Sequence, residues 1–128
     1  MKVLDGLYYS KDHEWVKPEG SHALVGITDH AQLGLGDVVY VELPEEGDEF
    51  QAGDPIGVVE SVKAASDVYT PIAGKVIRVN GKLIDHPERI NQDPYGSWLI
   101  ELETTDADME EGLLSPEEYK MWCLEEDE

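Results

Sequence analysis

Turn residues divide this chain into short segments, because its 128 residues include 12 glycines and 7 prolines spread along the whole length. Seven short runs between them are rich in strand-forming residues: 13–17, 22–28, 38–43, 55–61, 65–70, 75–80 and 98–103. Runs of this length and spacing predict an all-β sandwich or barrel, because βαβ units need longer helical segments between strands. In the third run, Val39, Val41 and Leu43 fall on one face, which predicts a half-buried strand with strict alternation.

Two short helical turns are predicted between these strands. Thr28 or Asp29 is expected to cap a turn over residues 30–33, which the glycines at positions 34 and 36 would end. A second turn is predicted over residues 87–90, because the proline at position 94 stops it.

The longest predicted helix is C-terminal. Ser115 and Glu118 form a capping box around Pro116, which is a favoured first helical residue. The helix then carries one apolar stripe that is expected to pack on the strands, consisting of Tyr119, Trp122 and Cys123.

Length and charge restrict the class of protein. A chain of this size is predicted to form one domain over residues 1–128, with no linker or long repeat. Its formal net charge is −20 at pH 7. Such a surface repels phosphate backbones and anionic lipids, so neither nucleic acid nor a membrane surface is an expected partner. The apolar runs are also too short to span a bilayer.

Cysteine content and the first residues bear on the compartment. One cysteine, Cys123, excludes an internal disulfide framework and a metal site built from thiolates. Residues 1–6 show neither a secretory apolar segment nor an Arg/Ser-rich transit pattern. We therefore expect a protein of a reducing compartment, most simply the cytoplasm, and we expect a monomer.

Acidic residues concentrate in two regions, residues 45–54 and residues 101–128. The second region contains twelve carboxylates and a single basic residue, Lys120. Such charge can serve solubility alone, or it can form a docking face that speeds encounter with basic partner surfaces. Composition leaves both interpretations open.

The chain shows no self-contained active site. It has no G-x-S-x-G, no P-loop and no G-x-G-x-x-G motif, so neither a serine nucleophile nor phosphate cradling is predicted. His13 and Glu14 are adjacent, but neighbours in a strand point to opposite faces and would not form a dyad. The histidines have no ligand-pair spacing and are predicted to be surface or turn residues: His13, His22, His30 and His86.

One lysine, Lys63, is predicted to lie in an exposed position that could serve a function. Two strand-like runs flank Val62 and Lys63, which predicts a tight hairpin with Lys63 at its tip. The neighbouring residues are small and leave the tip open, and Lys63 is the only basic residue between Lys17 and Lys75. A lysine at a hairpin tip is ordinarily a solvated charge, so the hairpin alone establishes no function.

The wider sequence resembles a known family. Residues 60–71, with the sequence ESVKAASDVYTP, are similar to the lipoylation hairpin of the glycine cleavage system H protein family. Further segments resemble that family in the expected order: 12–16 (DHEWV), 25–32 (VGITDHAQ), 35–44 (LGDVVYVELP), 72–76 (IAGKV), 90–96 (INQDPYG) and the acidic C-terminal helix. The resemblance covers essentially the whole chain. It implies a mainly β fold, the lipoyl/biotinyl-type barrel-sandwich hybrid, with short helices and a C-terminal helix.

The residues around the lysine distinguish this family from other swinging-arm carriers. Biotinyl carriers place methionines on both sides of the lysine, where this chain has Val62 and Ala64. Lipoyl domains of acyltransferase complexes carry an acidic residue directly before the lysine, whereas Glu60 stands three positions before it here. Two loops depart from the H-protein pattern, at residues 81–82 and in the shortened loop that ends at Ser97. Both departures concern loop conformation and the fit to partners, and not carrier chemistry.

The resemblance implies a carrier and not an enzyme, with lipoate joined to Lys63 by an amide. In the family, the arm receives an aminomethyl group from a pyridoxal-phosphate glycine decarboxylase (P protein). An aminomethyltransferase (T protein) then takes it, and dihydrolipoamide dehydrogenase (L protein) reoxidises the dithiol. A lipoylating enzyme is a further implied partner. The resemblance also implies that Glu14 and Asp67 line a cleft for the loaded arm, and we assign Glu60 to recognition by the lipoylating enzyme.

Two other interpretations remain open. The chain could donate lipoyl groups to the lysines of other proteins in lipoate metabolism, and that function requires Lys63 equally. It could also be an unmodified acidic interaction module, in which Lys63 stays free and its replacement by arginine has no effect.

Overall fold

The computed structural model describes residues 1–104 and 112–126, and strands dominate this part of the chain. The strands are β1 (Tyr8–Tyr9), β2 (Glu14–Glu19), β3 (His22–Ile27), β4 (Val38–Glu42), β5 (Glu49–Phe50), β6 (Pro55–Ser61), β7 (Ala65–Tyr69), β8 (Gly74–Val79) and β9 (Ile100–Glu103). The helices are α1 (Asp29–Leu35), α2 (Lys82–Asp85), α3 (Arg89–Gln92) and α4 (Pro116–Glu126). Half of the carboxylates of the C-terminal acidic region fall in residues 105–111 and 127–128 and lie outside the described residues.

The strands form two antiparallel sheets, which confirms the predicted mainly β fold. Six strands lie in the order β1-β2-β3-β9-β8-β5, and three lie in the order β4-β6-β7. Each of the seven predicted runs overlaps one strand. The prediction missed β1 and β5, because two-residue strands carry no readable periodicity, and it also missed the single turn α2. Among the described residues, no helix has the length and apolarity needed to cross a bilayer.

The main core lies between the two sheets. Side chains from both sheets meet in one buried cluster, and each of its central members is at most 3% exposed: Val25, Val59, Val68, Val76 and Leu102. Burial of aliphatic side chains of this size contributes about 1.5–3 kcal/mol each relative to exposure. The three-stranded sheet that carries the predicted hairpin is therefore fixed to the rest of the fold.

The C-terminal helix packs as the sequence predicts. The N–H of Ser115 donates to Oε1 of Glu118 at 2.9 Å, and the N–H of Glu118 donates to Oγ of Ser115 at 3.2 Å, which completes the capping box. Tyr119 and Cys123 are buried in a second apolar cluster, where the ring of Tyr119 stacks on that of Tyr9 at 4.5 Å. Helix α4 thus covers the outer side of the six-stranded sheet at β1 and β2.

The predicted strict alternation in β4 is wrong. The pairing of β4 with β6 shifts register between Val38 and Tyr40, which marks a β-bulge. As a result Val38 and Val41 are both buried, while Val39 and Tyr40 are about half exposed, at 53% and 48%. The extra residue turns Val39 away from the face that it would otherwise share with Val41.

Helix α1 is longer than predicted. Oγ1 of Thr28 accepts the N–H of Ala31 at 3.2 Å, which confirms Thr28 as the N-cap. Gly34 lies inside the helix, and the helix ends only at Gly36, whose φ of +80° favours glycine. This later end brings the helix terminus to the tip of the β6–β7 hairpin.

The close packing of β6 against β4 requires a glycine at position 57. A β-carbon at Gly57 would lie 2.3 Å from the carbonyl oxygen of Glu42 on β4, so an alanine forces the two strands apart. We expect Gly57→Ala to lower the free energy of unfolding by about 1–3 kcal/mol, measured by urea unfolding. Gly81→Ala is the matched control, because no neighbouring atom lies within 4 Å of its added β-carbon. Equal stability of the two variants would contradict this account of the β4–β6 packing.

Candidate functional site

Strands β6 and β7 are joined by a tight turn with Lys63 exposed at its tip. The turn is closed by one side chain, the hydroxyl of Ser61. Its Oγ accepts the N–H groups of Lys63 at 3.3 Å and Ala64 at 3.1 Å, and it donates to the carbonyl of Ala64 at 3.2 Å. The N–H of Ser61 also donates to this carbonyl at 2.7 Å. The backbone under the lysine is therefore fixed, while its side chain faces solvent.

The tip is also tied to the end of α1. The N–H of Val62 donates to the carbonyl of Asp37 at 3.1 Å, and Cε of Lys63 passes beside Gly36. The side chain of Asn91 holds this helix end from below. Its Nδ2 donates to the carbonyl of Gly36 at 2.8 Å and to Oε1 of Gln32 at 3.0 Å, and its Oδ1 accepts the N–H of Val38 at 2.8 Å. A group attached to the lysine would thus start from a rigid base.

A cleft of about 270 Å³ opens beside the tip, between α1, the turn before β2, and β7. Its apolar lining includes Ile27, Leu35 and Val59, and its polar lining includes Glu14 and Asp67. The cleft reaches Ser66 on β7, three residues beyond the lysine. A flexible chain on Lys63 could therefore lay an apolar body along the cleft and place a polar end near the carboxylates.

Glu14 is the buried carboxyl group of this cleft. It is only 3% exposed, and burial raises its pKa to about 7, against the lowering effect of its hydrogen bonds. Its Oε1 accepts the hydroxyl of Ser10 at 2.7 Å, and its Oε2 accepts the N–H of Tyr69 at 3.5 Å. A cation that entered the cleft would favour the ionised form of this group, because an adjacent opposite charge offsets the cost of burial.

The other two predicted acidic residues lie in different places. Asp67 is exposed on β7 and lines the same cleft as Glu14, although the two residues are 53 positions apart. Glu60 is half-buried on β6, opposite Ala65 and beside Tyr40 of β4, and it does not line the cleft. The structure thus brings Glu14 and Asp67 together and leaves Glu60 next to the tip, outside the cleft.

Sequence reasoning missed the two side chains that position the tip. A serine at the start of a two-residue loop is a known turn signal, so Ser61 could have been identified from its position. Asn91 offered no local signal, because its partners Gln32 and Gly36 lie 59 and 55 residues away in the chain.

The adjacent residues His13 and Glu14 have separate partners, as predicted. His13 lies in the turn before β2, where its ring nitrogens face Tyr119 and Glu126, while the carboxyl of Glu14 faces Ser10 and Tyr69. His22 is half-buried and His86 is exposed, and each lies beside a single carboxylate, at 3.4 and 3.3 Å. These two histidines are surface residues, in agreement with the prediction.

Comparisons with known proteins agree on one family. The family model described as "Glycine cleavage H-protein" matches residues 7–126. A glycine cleavage system H protein of Thermoanaerobacter sp. (strain X514) is 60% identical over 126 residues, which cover 98% of this chain and 100% of the relative. One of Clostridium botulinum (strain Loch Maree / Type A3) is 48% identical over 127 residues, covering 99% and 98%. The crystal structure of a glycine cleavage system H protein from Mycobacterium marinum matches with a TM-score of 0.84 and 34% identity, covering 98% of this chain and 100% of that one.

Proposed function

Because this chain belongs to the glycine cleavage H-protein family, we propose that it is a lipoyl carrier with lipoate joined to Lys63 by an amide. The observation that carries the proposal is the exposed lysine at a hairpin tip whose backbone is fixed by Ser61 and by the end of α1. The hairpin sequence resembles the family's lipoylation site at this position. The open tip fits an enzyme that must reach the amine of Lys63.

The residues around Lys63 suit a long arm. A lipoyl group on Lys63 would supply a strained cyclic disulfide that opens on two-electron reduction, so that one of its two sulfurs could bear the aminomethyl unit. Ser61 and Asn91 hold the base still, so the reach of the arm is set by the arm alone. Tethering then replaces free diffusion of the intermediate with a high local concentration at each partner.

The cleft beside the tip suits the loaded state of the arm. Leu35 and Val59 offer apolar surface to its chain, and Glu14 and Asp67 lie where a cationic amine can be bound. Glu14 contributes most, because a charge-assisted contact in a buried site is stronger than one at an exposed carboxylate such as Asp67. In this role both residues shelter the aminomethyl group from water between partners.

The proposed partners are those of the glycine cleavage system. The carrier receives the aminomethyl group from the P protein, presents it to the T protein, and is reoxidised by the L protein. The chemical steps belong to these enzymes and their cofactors, so this chain acts as a carrier subunit. We further propose that residues 1–128 form one domain, which works as a monomer in the cytoplasm.

Reconstitution tests the whole cycle. We expect the lipoylated chain, mixed with P, T and L proteins, tetrahydrofolate and NAD, to support glycine-dependent formation of NADH. The same mixture with the unlipoylated chain is the control. If NADH forms at the same rate with the lipoylated and the unlipoylated chain, the proposed function is wrong.

Glu60 is proposed to contact the lipoylating enzyme, because it lies beside the tip and outside the arm cleft. We expect Glu60→Ala to slow lipoylation about 5- to 30-fold, as the loss of one charged contact worth about 1–2 kcal/mol would. The rate is measured by intact mass. Glu49→Ala removes the same charge from the other sheet and should be modified at the normal rate. Normal lipoylation of the Glu60 variant would refute the assignment.

A further inference from the structure

Three side chains from distant parts of the chain meet beneath α4. His13 precedes β2, His30 lies in α1, and Cys123 lies in α4. One possible ligand atom of each lies within 4.8 Å of those of the other two. The two imidazole rings stack with centroids 4.2 Å apart and an angle of 16° between their planes. Cys123 is 1% exposed, and both histidines are half-buried.

His13 is held in an unusual conformation. Its φ of +68° makes it the one non-glycine residue with a positive φ within residues 1–104 and 112–126. Such a backbone is strained in residues other than glycine and persists only where surrounding contacts determine it. Its Nδ1 lies 2.7 Å from the hydroxyl of Tyr119, and its Nε2 lies 3.0 Å from Oε1 of Glu126. Whichever nitrogen binds a cation, the other keeps an oxygen partner that orients the ring.

We propose that His13, His30 and Cys123 form a binding site for a borderline divalent metal ion of the Zn²⁺ class. Two imidazole nitrogens and one thiolate are donors that Zn²⁺ prefers, whereas Mg²⁺ and Ca²⁺ require oxygen ligands. A water molecule completes the tetrahedron. Binding removes the thiol proton of Cys123, which passes to solvent.

The geometry requires a modest adjustment. Zn–N and Zn–S bonds of about 2.0–2.3 Å give a tetrahedron with edges of about 3.5 Å. The ligand atoms, now within 4.8 Å of one another, must therefore approach by about 1 Å. The two rings must also leave their parallel stacking, because the coordinating lone pairs lie in the ring planes and have to converge on the ion.

The site would join three elements that are otherwise held by packing and by hydrogen bonds. The metal would link α4 to α1 and to the turn before β2. His13 and His30 also line the arm cleft, so the ion would lie in the wall of that cleft. The spacing of these residues in the chain predicts no metal site, because each ligand comes from a separate segment. This inference is independent of lipoylation.

The experiment uses the unlipoylated full-length chain with Lys63→Arg, so that no lipoyl dithiol competes for the metal. We expect one Zn²⁺ per chain, an increase in the melting temperature, and, with Co²⁺ as a probe, a thiolate-to-cobalt charge-transfer band. Cys123→Ser should abolish the band and weaken Zn²⁺ binding by more than about 100-fold. Loss of a residue that only supports a ligand weakens metal binding by at most about 100-fold, so a larger effect identifies Cys123 as a ligand. His86→Ala removes an exposed histidine beside Glu88 and should bind like the parent.

Circular dichroism shows whether each variant is folded. If Cys123→Ser does not fold, the loss of Zn²⁺ binding is measured with His30→Ala. Two results would overturn the proposal. One is the lack of stoichiometric binding by the parent. The other is an affinity for Zn²⁺ that is unchanged in the folded Cys123 or His30 variant.

Discussion

Lys63→Arg is expected to abolish lipoylation completely. Arginine keeps the positive charge and much of the length of lysine, so the hairpin should fold normally. Its guanidinium stays protonated and does not become acylated under these conditions. After treatment with a lipoylating enzyme, intact mass spectrometry should show the lipoyl increment on the parent chain and no increment on the variant.

The matched control is Lys75→Arg. Lys75 is exposed on β8 in the other sheet, away from the hairpin tip, so this variant should be lipoylated like the parent. A lipoyl increment on the Lys63 variant would show that another lysine is modified. If the parent, the Lys63 variant and the Lys75 variant all lack a lipoyl increment, Lys63 is an ordinary solvated lysine and the proposed attachment site is wrong.

Glu14→Gln is expected to shorten the lifetime of the aminomethyl-loaded carrier by about 10- to 150-fold. Glutamine has nearly the same shape, and its Oε1 can accept the N–H of Tyr69 while its Nε2 donates to the hydroxyl oxygen of Ser10, but it removes the buried negative charge that faces the cleft. A charged hydrogen bond is worth about 1.5–3 kcal/mol, which corresponds to that range of rates. The lifetime is followed by intact mass after the P protein is removed.

Asp67→Asn should have a smaller effect, about 2- to 5-fold, because contacts of exposed carboxylates are worth only about 0.2–1 kcal/mol. Glu49→Gln neutralises a carboxylate in the other sheet and serves as the control for net charge. Identical lifetimes for the Glu14 variant, the control and the parent would refute the proposed role of the cleft.

Features of this fold with local causes could be predicted from the sequence. The hairpin around Lys63 follows from the two strand-forming runs that flank Val62 and Lys63, and the capping box of α4 follows from the spacing of Ser115 and Glu118. The bulge in β4 could not be predicted, because it depends on how β4 pairs with β6 and leaves Val39 exposed. Strict alternation assumes that no residue is inserted in the ladder.

The parts of the site that depend on contacts between distant residues could not be predicted in the same detail from the sequence. The family resemblance placed Glu14 and Asp67 at one cleft, but only the fold shows that Glu14 is buried and Asp67 exposed. Asn91 holds the helix end beside Lys63 through partners more than fifty residues away. The cluster of His13, His30 and Cys123 likewise cannot be recognised from the spacing of these residues in the sequence. Such arrangements exist only once the sheets and α4 have packed.

Intact mass spectrometry of the lipoylated chain, after incubation with glycine and P protein, tests whether the proposed lipoyl arm on Lys63 carries an aminomethyl group. We predict an aminomethyl increment on top of the lipoyl increment, with neither present in Lys63→Arg. A chain that accepts lipoate and yet gains no aminomethyl group with two different P proteins would contradict the account. That result would favour a donor of lipoyl groups instead.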